Sequence, residues 1–282
     1  MPKGKAKAAK EPTLADQADK HALYLASVQD AEHEVDFFEQ VFKEEFGKKP
    51  TSLREDFCGT FKICCEWVKS KKNRTALGVD LDGPTLDYGR EHYLSELTDD
   101  QRSRVTLVQD DVRKVLRTKV DVLAAQNFSF WIFKTRDELR EYFRKARMNL
   151  AKSGVMVLDM MGGGDCYIEE HEDVRSYGKG KKRFKYVWEQ ASHNPVTADA
   201  TFHIHFRFPD GSALEKAFTY EWRFWTIPEV IELLHEAGFD ETNVYWEQED
   251  DDGEGSGDWK KVETAPADPS WIAYLTAVRR ER

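Results

Sequence analysis

The chain has 282 residues, of which 40% are hydrophobic and 12% aromatic, enough for one sizeable core with embellishments. Its formal net charge of −10 disfavours wholesale electrostatic binding to nucleic acid. Four cysteines without a C-x-x-C pair, and no signal peptide or long apolar run, point to a reduced cytoplasmic protein with no metal site and no membrane segment.

Residues 1–12 carry Lys3, Lys5, Lys7 and Lys10 among Ala, Gly and Pro, and read as a disordered basic tail. A helical cap is expected over 13–50, with helices near 13–27 and 31–47. The second places Val35, Phe38, Val41, Phe42 and Phe46 at helical spacing before Lys48-Lys49-Pro50 ends it.

The stretch Leu53-Arg54-Glu55-Asp56-Phe57-Cys58-Gly59-Thr60-Phe61 reads as a strand, a tight turn at Gly59 and the start of a helix through Cys64, Cys65, Trp67 and Val68. Ala76-Leu77-Gly78-Val79-Asp80-Leu81-Asp82 follows as a second strand tipped with acid. This is the first half of a nucleotide-binding βαβ unit, whose ligand sits at the carboxyl ends of the strands. A dinucleotide loop wants G-x-G-x-x-G to admit a pyrophosphate; here one glycine remains between Phe57 and Phe61, which suits a nucleoside without phosphates. A carboxylate at Asp80 is suited to accept both ribose hydroxyls.

A third strand over 104–109 ends in Asp110-Asp111, either a ligand acid followed by Val112 or a helix N-cap. A fourth over 120–125 runs into Gln126-Asn127-Phe128-Ser129. Thr135-Arg136-Asp137-Glu138 is a capping box, and the helix after it leads to a fifth strand over 155–159. Strands alternating with helices predict an α/β fold with a doubly wound parallel sheet.

An insertion is expected over about 162–225. It opens with a polar, glycine-bearing lid near 163–183, followed by three alternating runs around Tyr186, Ile204 and Tyr220 that form an antiparallel meander. His203, His205 and Arg207 fall on the face opposite the phenylalanines. That face is either a solvated surface or, with Glu189 or Glu221, a substrate-binding or general-base group; His-x-His as half a metal site is the weaker option. After a helix capped at Thr226, a sixth strand over 243–247, a loop over 249–258 and a last antiparallel strand over 271–278 complete a seven-stranded sheet.

LREDFCGT, with GVDLD and NFS downstream, resembles the class I SAM-dependent methyltransferase superfamily, and one bacterial-type subgroup within it, over roughly residues 20–282. The resemblance implies a methyltransferase domain over 51–282 that binds S-adenosyl-L-methionine. It places Glu55, Phe57, Gly59 and Thr60 in the first motif, with Phe57 and Phe61 where that motif has glycines. It puts Asp80 and Leu81 at the ribose, Asp111 and Val112 at the adenine, and Asn127 and Ser129 at the methionine moiety or the substrate. Tyr24 and Gln29 become cofactor contacts from the cap, although Tyr24 reads equally well as an anchor to the core. The expected activity is methyl transfer to nitrogen or oxygen of a small-molecule acceptor, with His203, His205 and Glu189 as candidate catalytic groups. Competing readings are an RNA or protein methyltransferase, supported only by the basic tail and the mobile lid segment; an NAD-dependent oxidoreductase; and a non-catalytic SAM-binding protein.

Overall fold

A computed structural model describes residues 11–250, 253 and 255–280. Most of the tail expected over 1–12 lies outside the described residues. The chain divides into two compact units. The larger comprises Asp30–Ile168, Asn194–Asp199 and the chain from Trp222 onward; the smaller takes the chain up to Gln29, Glu169–His193 and Ala200–Glu221.

The larger unit is α/β. Its parallel strands are β1 (Ser52–Asp56), β2 (Thr75–Asp80), β3 (Val105–Gln109), β4 (Val120–Ala125) and β5 (Leu150–Gly162). β10 (Glu241–Glu249), β11 (Gly255–Val262) and β12 (Trp271–Arg279) extend the sheet to the order β11-β10-β12-β5-β4-β1-β2-β3, with β12 antiparallel to β5 and β10. The sheet therefore has eight strands rather than the expected seven. The extra one is β11, drawn from a segment partly assigned to a loop, and it pairs antiparallel with β10 at the edge.

Helix α2 (Ala31–Phe46) buries Val35, Phe37, Phe38, Val41 and Phe42 and lies against α3 (Lys62–Ser70), β4 and β5. Asp30 caps it, and Gly47 ends it in the left-handed conformation that glycine adopts without strain. Helix α6 (Arg136–Asn149) lies against β4 and β5 on the other face of the sheet. Its Thr135–Glu138 capping box forms as expected, and Tyr142 reaches Asp56 on β1 at 3.1 Å. The strand interiors Val122, Leu123, Val155, Val157 and Leu275 are fully buried, as a sheet covered on both faces requires.

The smaller unit is a four-stranded antiparallel sheet in the order β6 (His171–Tyr177), β7 (Phe184–His193), β8 (Asp199–Arg207) and β9 (Ala213–Arg223). Part of the segment expected to be a lid is thus strand β6. Helix α1 (Lys20–Val28) contributes Leu23, Tyr24 and Val28 to the cluster of Phe184, Tyr186, Ile204 and Phe206.

Candidate functional site

In the larger unit, the loop after β1 takes an unusual path. Phe57, Gly59 and Phe61 have φ of 57°, 51° and 48°, so all three sit in the left-handed region. These are the three places where the resembled motif has glycines, and the phenylalanines hold the same backbone there. Each non-glycine residue in that region costs about 1–2 kcal/mol. Ring packing offsets the cost. Phe61 is fully buried against the spot where Gly89 lacks a Cβ, and a Cβ at Gly89 would collide with the Phe61 ring and the Thr60 carbonyl. Phe57 packs edge-on to Tyr142 with centroids 5.7 Å apart.

Asp80, at the tip of β2, holds this loop. Its Oδ2 accepts the Gly59 N–H at 2.7 Å and its Oδ1 accepts the Asp82 N–H at 2.9 Å. Leu81 beside it is 66% exposed, an apolar side chain standing at the strand's end. One strand further, Asp111 binds the Arg113 guanidinium through Nε and Nη2, which holds its carboxyl below the usual range. No helix starts at Asp110 or Asp111, so the N-cap alternative is corrected. Val112 is buried, and its carbonyl accepts the Arg54 guanidinium at 2.6 Å.

Strand alternation separates the two acids of β1. Asp56 points to the α6 face and is committed to Arg54 at 2.6 Å and to the Tyr142 hydroxyl. Glu55 points to the α2–α3 face and accepts the Cys64 backbone N–H at 3.2 Å. Burial pushes the Glu55 carboxyl up to about 8. All four cysteines are buried and free, and burial raises the thiols of Cys58 and Cys64 further.

After β4, Asn127 and Phe128 both adopt left-handed conformations, with φ of 57° and 56°. Asp159 of β5 clamps this turn by accepting the N–H of Asn127 at 2.8 Å and of Phe128 at 2.9 Å. Burial nevertheless raises its carboxyl to about 7. Ser129 Oγ donates to the Gln126 carbonyl at 2.6 Å. One buried acid thus holds two left-handed non-glycine residues in place.

The structure thus brings Glu55, Phe57, Gly59, Thr60, Asp80, Leu81, Asp111, Val112, Asn127 and Ser129 to the carboxyl ends of consecutive strands β4-β1-β2-β3. Tyr24 and Gln29 belong to the smaller unit. There Tyr24 packs on Phe218 at 5.1 Å between centroids and hydrogen-bonds Tyr220.

The histidines of β8 lie opposite Ile204 and Phe206, as alternation predicts, but they are buried rather than solvated. His205 Nε2 contacts Glu189 at 2.8 Å, and its Nδ1 binds Glu215. His203 Nδ1 pairs with Thr219 at 3.0 Å, and burial lowers the pKa of its ring. The second acid is Glu215 rather than Glu221, which is exposed. Among the described residues no group of three or more His, Cys, Asp or Glu is arranged to hold a metal ion. No helix there is long and apolar enough to cross a membrane.

No protein-family model matches the chain, and no curated protein matches it in sequence. Solved structures do match in fold. The SAM-bound amino pentose methyltransferase CalS10 of Micromonospora echinaspora aligns with a TM-score of 0.66 at 15% identity, over 92% of this chain and 95% of that one. The sugar N-methyltransferase KedS8 of a Streptoalloteichus species gives 0.63 at 16% identity, over 100% and 99%. DesVI of Streptomyces venezuelae gives 0.67 at 17% identity, over 94% and 99%. The chain has the fold these proteins share, the class I methyltransferase fold.

Proposed function

We propose that this chain is a SAM-dependent methyltransferase acting on a nitrogen or oxygen atom of a small-molecule acceptor. The observation that carries the reading is the grip of Asp80 on Gly59 at the ends of β2 and β1, on a loop that keeps one glycine where a pyrophosphate site wants three. In this reading Asp80 takes the ribose hydroxyls on its remaining lone pairs. Leu81 and Val112 cover the adenine, and Asp111 accepts its amino group. Glu55, Asn127 and Ser129 face the amino-acid end.

SAM supplies a methyl group already activated on a sulfonium. The chain's task is to hold that methyl in line with the acceptor atom and to exclude water. The attacking atom bonds to carbon as the carbon–sulfur bond breaks, and an N–H or O–H proton is lost from the acceptor. His203, His205 and Glu189 enter this reading as braces of the antiparallel sheet, because both ring nitrogens of His205 are engaged. Two neighbours in fold named as an amino pentose and a sugar N-methyltransferase favour an amine-bearing acceptor of sugar size. The test is a screen of amino sugars and small amines for S-adenosylhomocysteine formation. Turnover on at least one amine or hydroxyl acceptor supports the reading; SAM binding without turnover on any of them favours a non-catalytic binder.

A further inference from the structure

Beside the nucleoside cradle lies a row of buried acceptors with too few donors. Register places Glu55 of β1 beside Ala124 of β4, and Ala124 beside Val157 of β5. Two residues on, alternation puts Gln126 and Asp159 on the same face, and Tyr274 of β12 is the cross-strand partner of Asp159. Helix α2 covers this face. Its Phe37 stacks on Tyr274 with centroids 4.2 Å apart, and its Glu34 Oε1 accepts the Tyr274 hydroxyl at 2.7 Å.

Two oxygens in this row are left over. Glu34 Oε2 is shielded from solvent and has no hydrogen-bond partner. Gln126 is 5% exposed; its Nε2 donates to the Val157 carbonyl at 3.3 Å while its Oε1 has no partner. Buried polar atoms are rarely left this way, and a missing ligand is one of the ordinary explanations. Burial and the neighbouring carboxylates of Asp159 and Glu55 push Glu34 up to about 8. The groups facing it are acids and a tyrosine hydroxyl: Asp159, Glu55, Asp30 and Tyr274.

Building on the methyltransferase reading, we propose that Glu34 and Gln126, with Glu55 and Asp159 beside them, form the subsite for the α-ammonium group of SAM. An ammonium brings three N–H donors and no acceptor, the complement of this row. Its position agrees with the strand order: Asp80 on β2 and Gln126 after β4 stand two strands apart, about 10 Å, and the cofactor's amino-acid chain spans from ribose to ammonium in that direction. Charge-assisted bonds to a buried carboxylate are the strong ones, so Glu34 should carry a large share of the recognition.

The test is calorimetric affinity for SAM, S-adenosylhomocysteine and 5′-methylthioadenosine, which shares the nucleoside and sulfur but lacks the ammonium. It is run on wild type, Glu34→Gln and Gln126→Met, each checked by thermal melting. We expect Glu34→Gln to weaken SAM and S-adenosylhomocysteine roughly tenfold to a hundredfold and leave 5′-methylthioadenosine unchanged. Gln126→Met should weaken the same two ligands by less. Without ligand, Glu34→Gln should melt no lower than wild type, and its advantage should grow above about pH 8, where Glu34 loses the proton that burial makes it hold and glutamine has none to lose. Loss of SAM affinity alone would assign the row to the sulfonium and overturn the proposal. So would equal weakening of all three ligands, or unchanged cofactor affinity with a raised KM for an amine acceptor. If wild type binds none of the three, the methyltransferase reading itself fails, a result separable from failure of the Glu34 assignment.

Discussion

The histidine pair of the antiparallel sheet and the acid row of the parallel sheet bury polar groups in opposite ways. In the antiparallel sheet, His205 sits between Glu189 and Glu215, and His203 pairs with Thr219; each buried ring has its partner within the protein. At the carboxyl ends of the parallel sheet, Glu34, Glu55, Gln126 and Asp159 crowd acceptors together and leave two oxygens open. A satisfied network holds a fold together without help. An unsatisfied one costs stability unless something binds, since an unpaired buried group forfeits its hydration. On the proposed reading, the first region supports the fold and the second recognises the ligand.

Four substitutions and conditions press on that contrast. The largest effect is expected from Asp80→Ala, which removes the acceptor of the Gly59 N–H; affinity for SAM should fall by about a hundredfold or more while the melting curve stays cooperative. Phe61→Gly relieves a left-handed φ but empties a fully buried ring site. The two terms leave a net destabilisation of about 2–3 kcal/mol, readable by urea denaturation. His205→Ala should destabilise by about 1–3 kcal/mol by emptying a buried ring site and taking the partner from the half-buried Glu189, and should leave SAM affinity within about twofold of wild type. A large loss of SAM affinity in that variant would break the division of labour.

The remaining condition is pH, which acts on the acid row without any substitution. The carboxyls of Glu34 and Glu55 stand near 8 and that of Asp159 near 7, all raised above their ordinary values by burial. Between about pH 4 and 8 the folded protein keeps protons that the unfolded chain has lost, so these groups make stability fall as pH rises. The slope is at most about 1.4 kcal/mol per pH unit for each proton retained. Melting of the unliganded protein between pH 5.5 and 8 should show this decline, and SAM should offset it most at the alkaline end. A melting temperature that climbs steadily to pH 8 would contradict the acid cluster.

Much of this was legible in the sequence because the parallel core has strong local signals. LREDFCGT, GVDLD and the Thr135 capping box each combine apolar runs with a polar stop, and the structure puts β1, β2 and α6 there. Strands β6 and β11 were not legible. HEDVRSY and GSGDWKKV are edge strands held by backbone pairing, mostly exposed, and without the alternation a half-buried strand shows. The left-handed φ of Phe57 and Phe61 is also invisible in composition, because glycine is the residue that normally signals it. Glu34 did leave a signal. It stands three, four and seven residues before Phe37, Phe38 and Val41, an acid on the buried stripe of an amphipathic helix. Gln126 left none, since only the register of β4 against β5 shows where it points.

The central claim is that the edge of the parallel sheet recognises a phosphate-free, cationic nucleoside cofactor. Calorimetric titration of wild type and Asp80→Ala with SAM, S-adenosylhomocysteine and NAD tests it most directly. The account predicts about micromolar binding of the first two to wild type, loss of both in the variant and no heat from NAD. Binding of NAD alone, or SAM binding that Asp80→Ala leaves intact, would contradict it.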